Sequence, residues 1–160
     1  MHAAVIRQDL KLPERAQLVA DPLEYLLGTW VLERDIDDRR AGHVGRMLGL
    51  ARVFRQGEHS AYGLEEGLLE LPGYRDRVRR VTRYRQEHHG RLCMSFEDGR
   101  RLCDLDLRLG VCEVEHHCGA DRYLGRFLIE SGACWWVRWT VEGPAKQAVL
   151  TTRYRRATRG

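Results

Sequence analysis

From Thr29 to Arg156 the sequence is a succession of strand-like segments joined by short turns. A clear example is 103–109, where Cys and Leu residues interleave with Asp, Asp and Arg. Such a period of two predicts strands that bury one face. About ten segments of this kind follow one another, with no helical pattern of the sort that joins parallel strands. The sequence therefore predicts an all-β fold, a closed antiparallel up-and-down β-barrel of about 8–10 strands.

A short helix is expected before the first strand. Asp21 precedes Pro22, which is the pairing of an N-cap with a proline at the first helical position. The leucines of the segment 23–27 form an apolar patch that could close one end of the barrel. Gly28-Thr29-Trp30 then ends the helix and opens the first strand. The expected organisation is an N-terminal extension (1–21), a barrel domain (22–156) and a C-terminal tail (157–160).

Length and composition favour a soluble protein with one core. The chain has 160 residues, of which 43% are hydrophobic and 31% charged, and at this length about two thirds of the unfolded surface can be buried. No apolar run approaches the roughly 18 residues of a membrane span, and the N-terminus lacks the basic and apolar regions of a signal peptide. The five cysteines form no C-x-x-C pair, which argues against a disulfide framework. We therefore expect a cytoplasmic protein with reduced thiols and no membrane partner.

The positive charge is almost all arginine and is spread along the chain. The net charge is +4, and 23 acidic residues lie among the cations. The densest run, 75–85, carries five arginines at odd positions and one, Arg80, at an even position. Odd positions of a strand share one face, so we interpret them as a solvated outer face in preference to an anion-binding surface. No nucleic-acid partner is expected, because a dedicated binder concentrates its cations on one face.

The alternation also assigns side chains to the barrel interior, which at this size can hold one small ligand. Glu66 falls on a face with apolar neighbours, so it needs an inward arginine as its partner. Arg34 falls on the apolar face of the first strand, an exception that the pattern does not explain. The alternative is that the aromatic members simply fill the core. The expected lining is Tyr62, Leu64, Glu66, Tyr84, Met94, Phe96, His116, Tyr123, Phe127, Trp135 and Trp139.

His116 is the main catalytic candidate, with Asp121 as the group that would orient it. The strand before the turn directs His116 and Cys118 inward, and after the turn Tyr123 could bind a ligand oxygen, with Glu66 completing an acid/base set. The alternatives are a hydrogen-bonded interior histidine for His116 and a turn-capping role for Asp121. His116 and Cys118 could also bind zinc or haem. No third ligand at predictable spacing and no haem attachment motif occurs, so no metal or cofactor is expected.

The first strand opens with Gly28-Thr29-Trp30, and the last strand carries arginines. Together these resemble the lipocalin and fatty-acid-binding-protein pattern, which includes the ten-stranded nitrobindin-like barrels of the calycin type. The resemblance implies that Trp30 plugs one end of the barrel and that Arg153 or Arg155 packs over its indole as a cation–π pair. Nitrobindin-like proteins bind haem through a histidine near the C-terminus, and here no histidine follows His117.

Five further motifs carry a closer resemblance. They are Phe96-Glu97-Asp98-Gly99, Asp104-Leu105-Asp106-Leu107, His116-His117-Cys118-Gly119-Ala120-Asp121-Arg122-Tyr123-Leu124-Gly125, Gly143-Pro144-Ala145-Lys146 and the closing Thr152-Arg153-Tyr154-Arg155. Together they resemble an uncharacterised family of small barrel proteins, a domain of unknown function, across residues 23–156. The resemblance implies a lipocalin-like fold and no particular reaction.

The first functional hypothesis is a small-molecule-binding, lipocalin-like barrel that encloses a largely apolar or aromatic ligand. Its polar anchors would come from His116, Tyr123, Glu66 and Arg153, and its lining would include Tyr84, Trp135 and Trp139. The alternative is a barrel enzyme, a cyclase, isomerase or dehydratase of specialised metabolism, with His116 as acid or base. A haem-binding barrel and an arginine-rich surface for nucleic acid are lesser alternatives. A homodimer is a further possibility.

Overall fold

The computed structural model describes residues 9–158. It contains a five-residue helix, α1 (Pro22–Leu26), a 3-10 helix at His88–Gly90 and ten β-strands. No helix within that range combines the length and the apolar character that crossing a membrane requires. The strands are β1 (Gly28–Asp38), β2 (His43–Gly57), β3 (Ser60–Leu71), β4 (Tyr74–Gln86), β5 (Leu92–Phe96), β6 (Arg101–Leu105), β7 (Val111–Cys118), β8 (Asp121–Ser131), β9 (Cys134–Glu142) and β10 (Gln147–Arg156).

The ten strands form one antiparallel sheet that curls into a barrel. Its order is β6-β5-β4-β3-β2-β1-β10-β9-β8-β7, so the first and last strands of the chain are paired in its middle. The two edge strands, β6 and β7, come to lie side by side. Beside their junction the Asp106 amide donates to the Cys112 sulfur at 3.4 Å. The predicted all-β, up-and-down barrel with a short N-terminal helix is confirmed, and the barrel is nearly closed, with a seam between β6 and β7.

One end of the barrel is sealed by α1 and the start of β1. Asp21 caps α1 by accepting a hydrogen bond from the Glu24 amide, and Leu23 and Leu26 are buried. The Trp30 indole is completely buried and donates from Nε1 to the Leu26 carbonyl at 2.9 Å. A short helix leaves its last carbonyls without helical partners. The indole bond satisfies one of them and ties α1 to the barrel wall.

The arginine that covers Trp30 is Arg156, so the expectation of Arg153 or Arg155 is wrong. The Arg156 guanidinium lies 4.0 Å from the centre of the Trp30 ring. The register explains the error, because Trp30 pairs with Arg156 and successive residues of a strand face opposite sides. Arg153 and Arg155 therefore lie on the outer face, where both form ion pairs with Glu33.

The inward face of β3 is the opposite of the predicted one. Glu65 faces the interior and is only 7% exposed, whereas Glu66 is exposed on the outer face. Tyr62 also lies outside, where its ring packs 5.2 Å from that of Phe54, and Leu64 shares that face. The expected lining of the interior by Tyr62, Leu64 and Glu66 is therefore wrong.

Close approach of β2 and β3 explains why the apolar pattern pointed to the wrong face. The inward positions on either side of Glu65 are Gly63 and Gly67, and Gly67 lies opposite Gly49 of β2. A Cβ atom at Gly49 or Gly67 would collide with the main chain of the other strand. Glycines are therefore required inside at this point, whereas Tyr62, Leu64 and Leu68 lie outside. The alternation that a buried face normally shows is inverted in this part of β3.

Candidate functional site

The barrel wall has a notch at the end opposite α1. β4 begins at Tyr74, but its pairing with β5 starts only at Thr82, which lies opposite Phe96. Within the described chain, residues 74–81 of β4 therefore have no strand neighbour on that side. β5 ends early because the turn at 97–100 reverses the chain into β6. The notch lies between the unpaired part of β4 and the end of β7, and it leads into the interior.

Inward side chains differ in burial between the two ends of the barrel. Near α1, Ile129 and Trp135 are 0% and 4% exposed. Near the notch, the inward side chains of His116, Tyr123 and Trp139 are only half-buried. The interior is therefore filled at the sealed end and accessible at the notch.

A charged cluster of four strands lies in the interior. One Glu65 oxygen accepts a hydrogen bond from Arg34 at 2.9 Å, and the other accepts one from Arg80 at 3.0 Å. The Tyr154 hydroxyl donates to the oxygen that also binds Arg80. Arg34 in turn donates to the Thr152 hydroxyl at 2.8 Å. Both oxygens of the buried carboxylate thus have charged or hydroxyl donors, which burial of a charge requires.

The cluster holds Glu65 in its ionised form. Burial by itself would raise the pKa of Glu65, but the guanidinium groups of Arg80 and Arg34 and the hydroxyl of Tyr154 lower it to about 2. Burial, followed by the Glu65 carboxylate, raises the pKa of Tyr154 and of Tyr84 above the usual range. At neutral pH the carboxylate is therefore charged, and both tyrosine hydroxyls keep their protons as hydrogen-bond donors.

The two arginines of the cluster differ in their access to solvent. The Arg34 side chain is 11% exposed and that of Arg80 is 48% exposed, although both face the interior. Arg80 belongs to the part of β4 that borders the notch, so solvent reaches its side chain through this opening. The five odd-numbered arginines of 75–85 are all exposed on the outer face of β4. Arg80 is thus the one arginine of this run that points into the barrel.

Aromatic rings line the interior on the other side from the charged cluster. Phe96 lies 5.8 Å from His116, and His116 lies 6.1 Å from Tyr123, measured between ring centres. Tyr123 lies 6.4 Å from Trp139, which lies 5.8 Å from Phe127. Tilted and edge-to-face contacts of this kind are favourable between aromatic rings. The five rings form a continuous wall that runs from the notch into the core, and we call it the aromatic wall.

Tyr84 and Trp135 face the interior and are buried at a deeper level. The Trp135 ring is stacked on Tyr154 with centres 3.9 Å apart, and it meets Trp30 edge to face at 6.2 Å. The Trp135 Nε1 atom has no hydrogen-bond partner among residues 9–158. A molecule that enters through the notch would meet the aromatic wall before it reached these two side chains. Ligand contact by Tyr84 and Trp135 stays a prediction.

Asp121 lies at the rim of the barrel, where its carboxylate is 3.7 Å from Nζ of Lys146. The Tyr123 hydroxyl and the Asp121 carboxylate raise the pKa of Lys146. The ring of His116 packs between those of Phe96 and Tyr123. The geometry therefore brings Tyr123 to His116 and pairs Asp121 with the lysine. The catalytic roles of His116 and Asp121 stay predictions.

Within residues 9–158, no three His, Cys, Asp or Glu side chains converge on a point where they could hold a metal ion. All five cysteines are free thiols, and Cys118 is exposed at the end of β7. Burial raises the pKa of the Cys103 thiol to about 12. A thiol of this kind stays protonated and behaves as a small apolar side chain.

Sequence reasoning missed Glu65 and Arg80 as members of the site. Two signals in the sequence pointed to them. Arg34 interrupts the apolar face of β1, and Arg80 occupies the one even position among the arginines of 75–85. Two inward guanidinium groups require a carboxylate between them, and Glu65 meets that need once β3 is turned so that its glycines face inward.

Residues 26–156 match the model of DUF6314, a family of unknown function. The chain belongs to this family. The predicted resemblance to an uncharacterised family of small barrels is therefore confirmed. Among curated proteins, none matches the sequence.

Two solved structures show what the barrel is similar to. An S-type phycobiliprotein lyase from Guillardia theta has a TM-score of 0.62 and 8% identity, with 86% of this chain and 92% of the lyase covered. A de novo designed fluorescence-activating β-barrel has a TM-score of 0.47 and 15% identity, with 87% and 100% covered. At such low identity the likeness to the lyase concerns the fold alone, and it supports the predicted lipocalin-like barrel.

Proposed function

We propose that the protein binds a small, largely apolar or aromatic molecule in the part of the interior next to the notch. The observation that carries this proposal is the aromatic wall, in which His116, Tyr123 and Trp139 face inward and are only half-buried. An apolar ligand that covered these rings would gain about 25 cal/mol per Å² of buried surface, before the cost of ordering. His116 and Tyr123 supply polar atoms that could orient it.

The fold comparison adds support to this proposal. A lyase that is named for phycobiliproteins is built on a barrel of the same fold. By analogy, the interior of the present barrel is the place to seek an organic ligand.

A neutral fluorescent probe tests the proposal. We expect 1-aminoanthracene to bind the full chain with an emission increase, and Trp139→Ala to weaken binding by about tenfold, because an inward ring of the aromatic wall is lost. Trp136→Ala is the matched control, since this neighbouring indole lies on the outer face and donates to Glu130 at 2.8 Å. No binding by the wild-type chain, or equal losses in the two variants, would contradict the proposal.

The second candidate function is a barrel enzyme in which His116 acts as acid or base. The contact between the rings of His116 and Tyr123 at the notch favours it, because both side chains could reach one bound molecule. A cyclase, isomerase or dehydratase reaction needs such proton transfer. We expect His116→Asn to abolish turnover of any substrate identified while leaving its binding intact, and unchanged turnover would remove this candidate.

A cytoplasmic location is proposed as well. It is supported by the five free thiols, of which Cys93 and Cys103 are buried, since reducing compartments keep cysteines in this form. Thiol counting on protein extracted under alkylating conditions tests it. Fewer than five reactive thiols after denaturation would contradict a reducing location.

A further inference from the structure

We propose that the ligand carries a carboxylate that pairs with Arg80, so that the molecule bound in the barrel is an aromatic or apolar organic acid. This inference rests on the proposed function, because it concerns the same part of the interior. The inference gives a role to Arg80, whose guanidinium donates only one hydrogen bond within the described chain.

The two inward arginines, Arg34 and Arg80, differ in how many of their N–H groups donate to acceptors within the protein. Arg34 uses all three of its nitrogens, toward Thr152, the Met47 sulfur and Glu65. Arg80 donates from one terminal nitrogen to Glu65, and in the described chain its other N–H groups have no protein acceptor. A guanidinium offers five N–H donors in a planar fork. Arg80 thus has a free edge of the shape that binds a carboxylate through two parallel hydrogen bonds.

The charge of the cluster also favours an anion. Arg34 and Arg80 contribute two positive charges and Glu65 one negative charge, which leaves one positive charge in excess. The next carboxylate on the inward face of β4 is Asp76, which is exposed at the rim. It is four residues from Arg80, or about 13 Å along an extended strand. That separation exceeds the screening length of about 8 Å at physiological ionic strength, so Asp76 does not neutralise the excess charge.

The position of Arg80 sets what the rest of the ligand must be. Its partly exposed side chain borders the notch on β4, and Phe96 and His116 lie on the other side of this opening, on β5 and β7. An anion held by Arg80 would therefore place its attached group against the aromatic wall. A flat aromatic or apolar group fits that surface, because the rings of Phe96 and His116 can pack against it.

A matched set of naphthalene compounds tests the inference on the full chain. The probes are 2-naphthoate, neutral 2-naphthamide and cationic 2-naphthylmethylamine, each measured by displacement of 1-aminoanthracene. We expect naphthoate to bind at least about tenfold tighter than naphthamide and the amine to bind weakest, because only the acid forms a charge-assisted pair with Arg80. Equal affinities of the acid and the amide would overturn the inference.

Variants locate the preference at Arg80. Arg80→Gln should lower the affinity for naphthoate to that for naphthamide and leave the amide unchanged, and Arg80→Lys should restore part of the preference. Arg83→Gln, on the outer face of the same strand, should change neither affinity. A preference for the acid that survives Arg80→Gln would overturn the inference. If Arg80→Gln fails to fold by circular dichroism, the wild-type comparison and Arg80→Lys decide the outcome.

The controls separate this inference from the proposed function. Binding of 1-aminoanthracene and naphthamide without a preference for naphthoate would leave the proposed function in place and overturn the assignment of Arg80. No binding of 1-aminoanthracene or any naphthalene probe would overturn both.

Discussion

The two ends of this barrel each carry an arginine, but the two arginines have different surroundings. At the sealed end, the Trp30 indole is completely buried and one guanidinium, that of Arg156, covers it. At the notch, the side chain of Arg80 is 48% exposed, and its guanidinium forms an ion pair with the Glu65 carboxylate. Both ends therefore place an arginine across the opening of the barrel. All three nitrogens of the Arg156 guanidinium donate to backbone carbonyls. Arg80 donates to Glu65 from one nitrogen, and its other N–H groups have no acceptor in the described chain.

The two ends differ in how far the protein itself supplies hydrogen-bond acceptors to the arginine. Arg156 donates to the carbonyls of Tyr25 and Leu27 at 2.9 Å each, in addition to its contact with Trp30. The Trp30 indole and the Arg156 guanidinium therefore have their hydrogen-bond acceptors within the protein. At the notch, half-buried rings and an arginine with one protein acceptor border the opening, which is where the proposed ligand would bind.

The largest expected effect is at the sealed end. Trp30→Ala should lower the free energy of unfolding by about 4 kcal/mol, because it removes a fully buried indole and leaves a cavity under α1. Urea denaturation followed by circular dichroism measures it. Under conditions where the variant is folded, its affinity for 1-aminoanthracene should stay close to wild type. A stability loss below about 1 kcal/mol would show that Trp30 does not seal the barrel.

Removing the buried carboxylate should have the next largest effect. Glu65→Leu should cost about 3 kcal/mol, because it leaves the Arg34 guanidinium buried without its counter-charge. The double variant Arg34→Met, Glu65→Leu should recover most of this loss, since both charges are removed together. Glu66→Leu, next to it on the outer face, is the matched control and should change stability by less than about 0.5 kcal/mol. A double variant no more stable than the single one would contradict this account.

Part of the fold could be predicted from the sequence, and part could not. The number of strands and the antiparallel order followed from local alternation and turns, which depend on neighbouring residues alone. The plug by Trp30 was implied by the family resemblance. The inward face of β3 did not, because glycines are required where β2 and β3 approach, and that approach is a property of the curled sheet. Arg156 was missed for a related reason, since the register of β1 against β10 joins residues more than a hundred positions apart.

The charged cluster predicts a loss of stability in acid. The pKa of Glu65 is depressed from 4.5 to about 2 in the folded protein. A carboxylate with a lowered pKa stabilises the fold above its unfolded pKa, and this stabilisation is lost as the pH falls through the folded pKa. Stability should therefore decline between pH 4.5 and about 2, by an amount on the order of 3 kcal/mol for this group.

Glu65→Gln and Glu66→Gln make the acid prediction specific. Burial would raise the pKa of Glu33, but the hydrogen bonds and charges of Arg153 and Arg155 together lower it. Part of the slope in acid will therefore persist in any single variant. Glu65→Gln should flatten the pH dependence of urea denaturation more than Glu66→Gln does. Identical slopes in these two variants would mean that the charged cluster does not control stability in acid.

The smallest expected effect is that of Arg156→Lys at the sealed end. This variant tests whether the positive charge or the planar shape of the guanidinium matters there. Arg156→Lys keeps a cation over Trp30 but loses the planar fork that reaches the carbonyls of Tyr25 and Leu27. We expect a loss of about 1 kcal/mol in urea denaturation, since one or two hydrogen bonds are weakened. Arg155→Lys, which contacts Glu33 on the outer face, should cost less than about 0.5 kcal/mol.

Equal losses of stability in Arg156→Lys and Arg155→Lys would contradict the difference between the two ends, because the sealed end would then depend on the positive charge alone. A larger cost at Arg156, set beside partial rescue of acid binding by Arg80→Lys at the notch, would sharpen that contrast. Shape would then decide closure, where a rigid fork binds fixed carbonyls. Charge would decide binding, where the partner is a mobile anion that can adjust to an ammonium group.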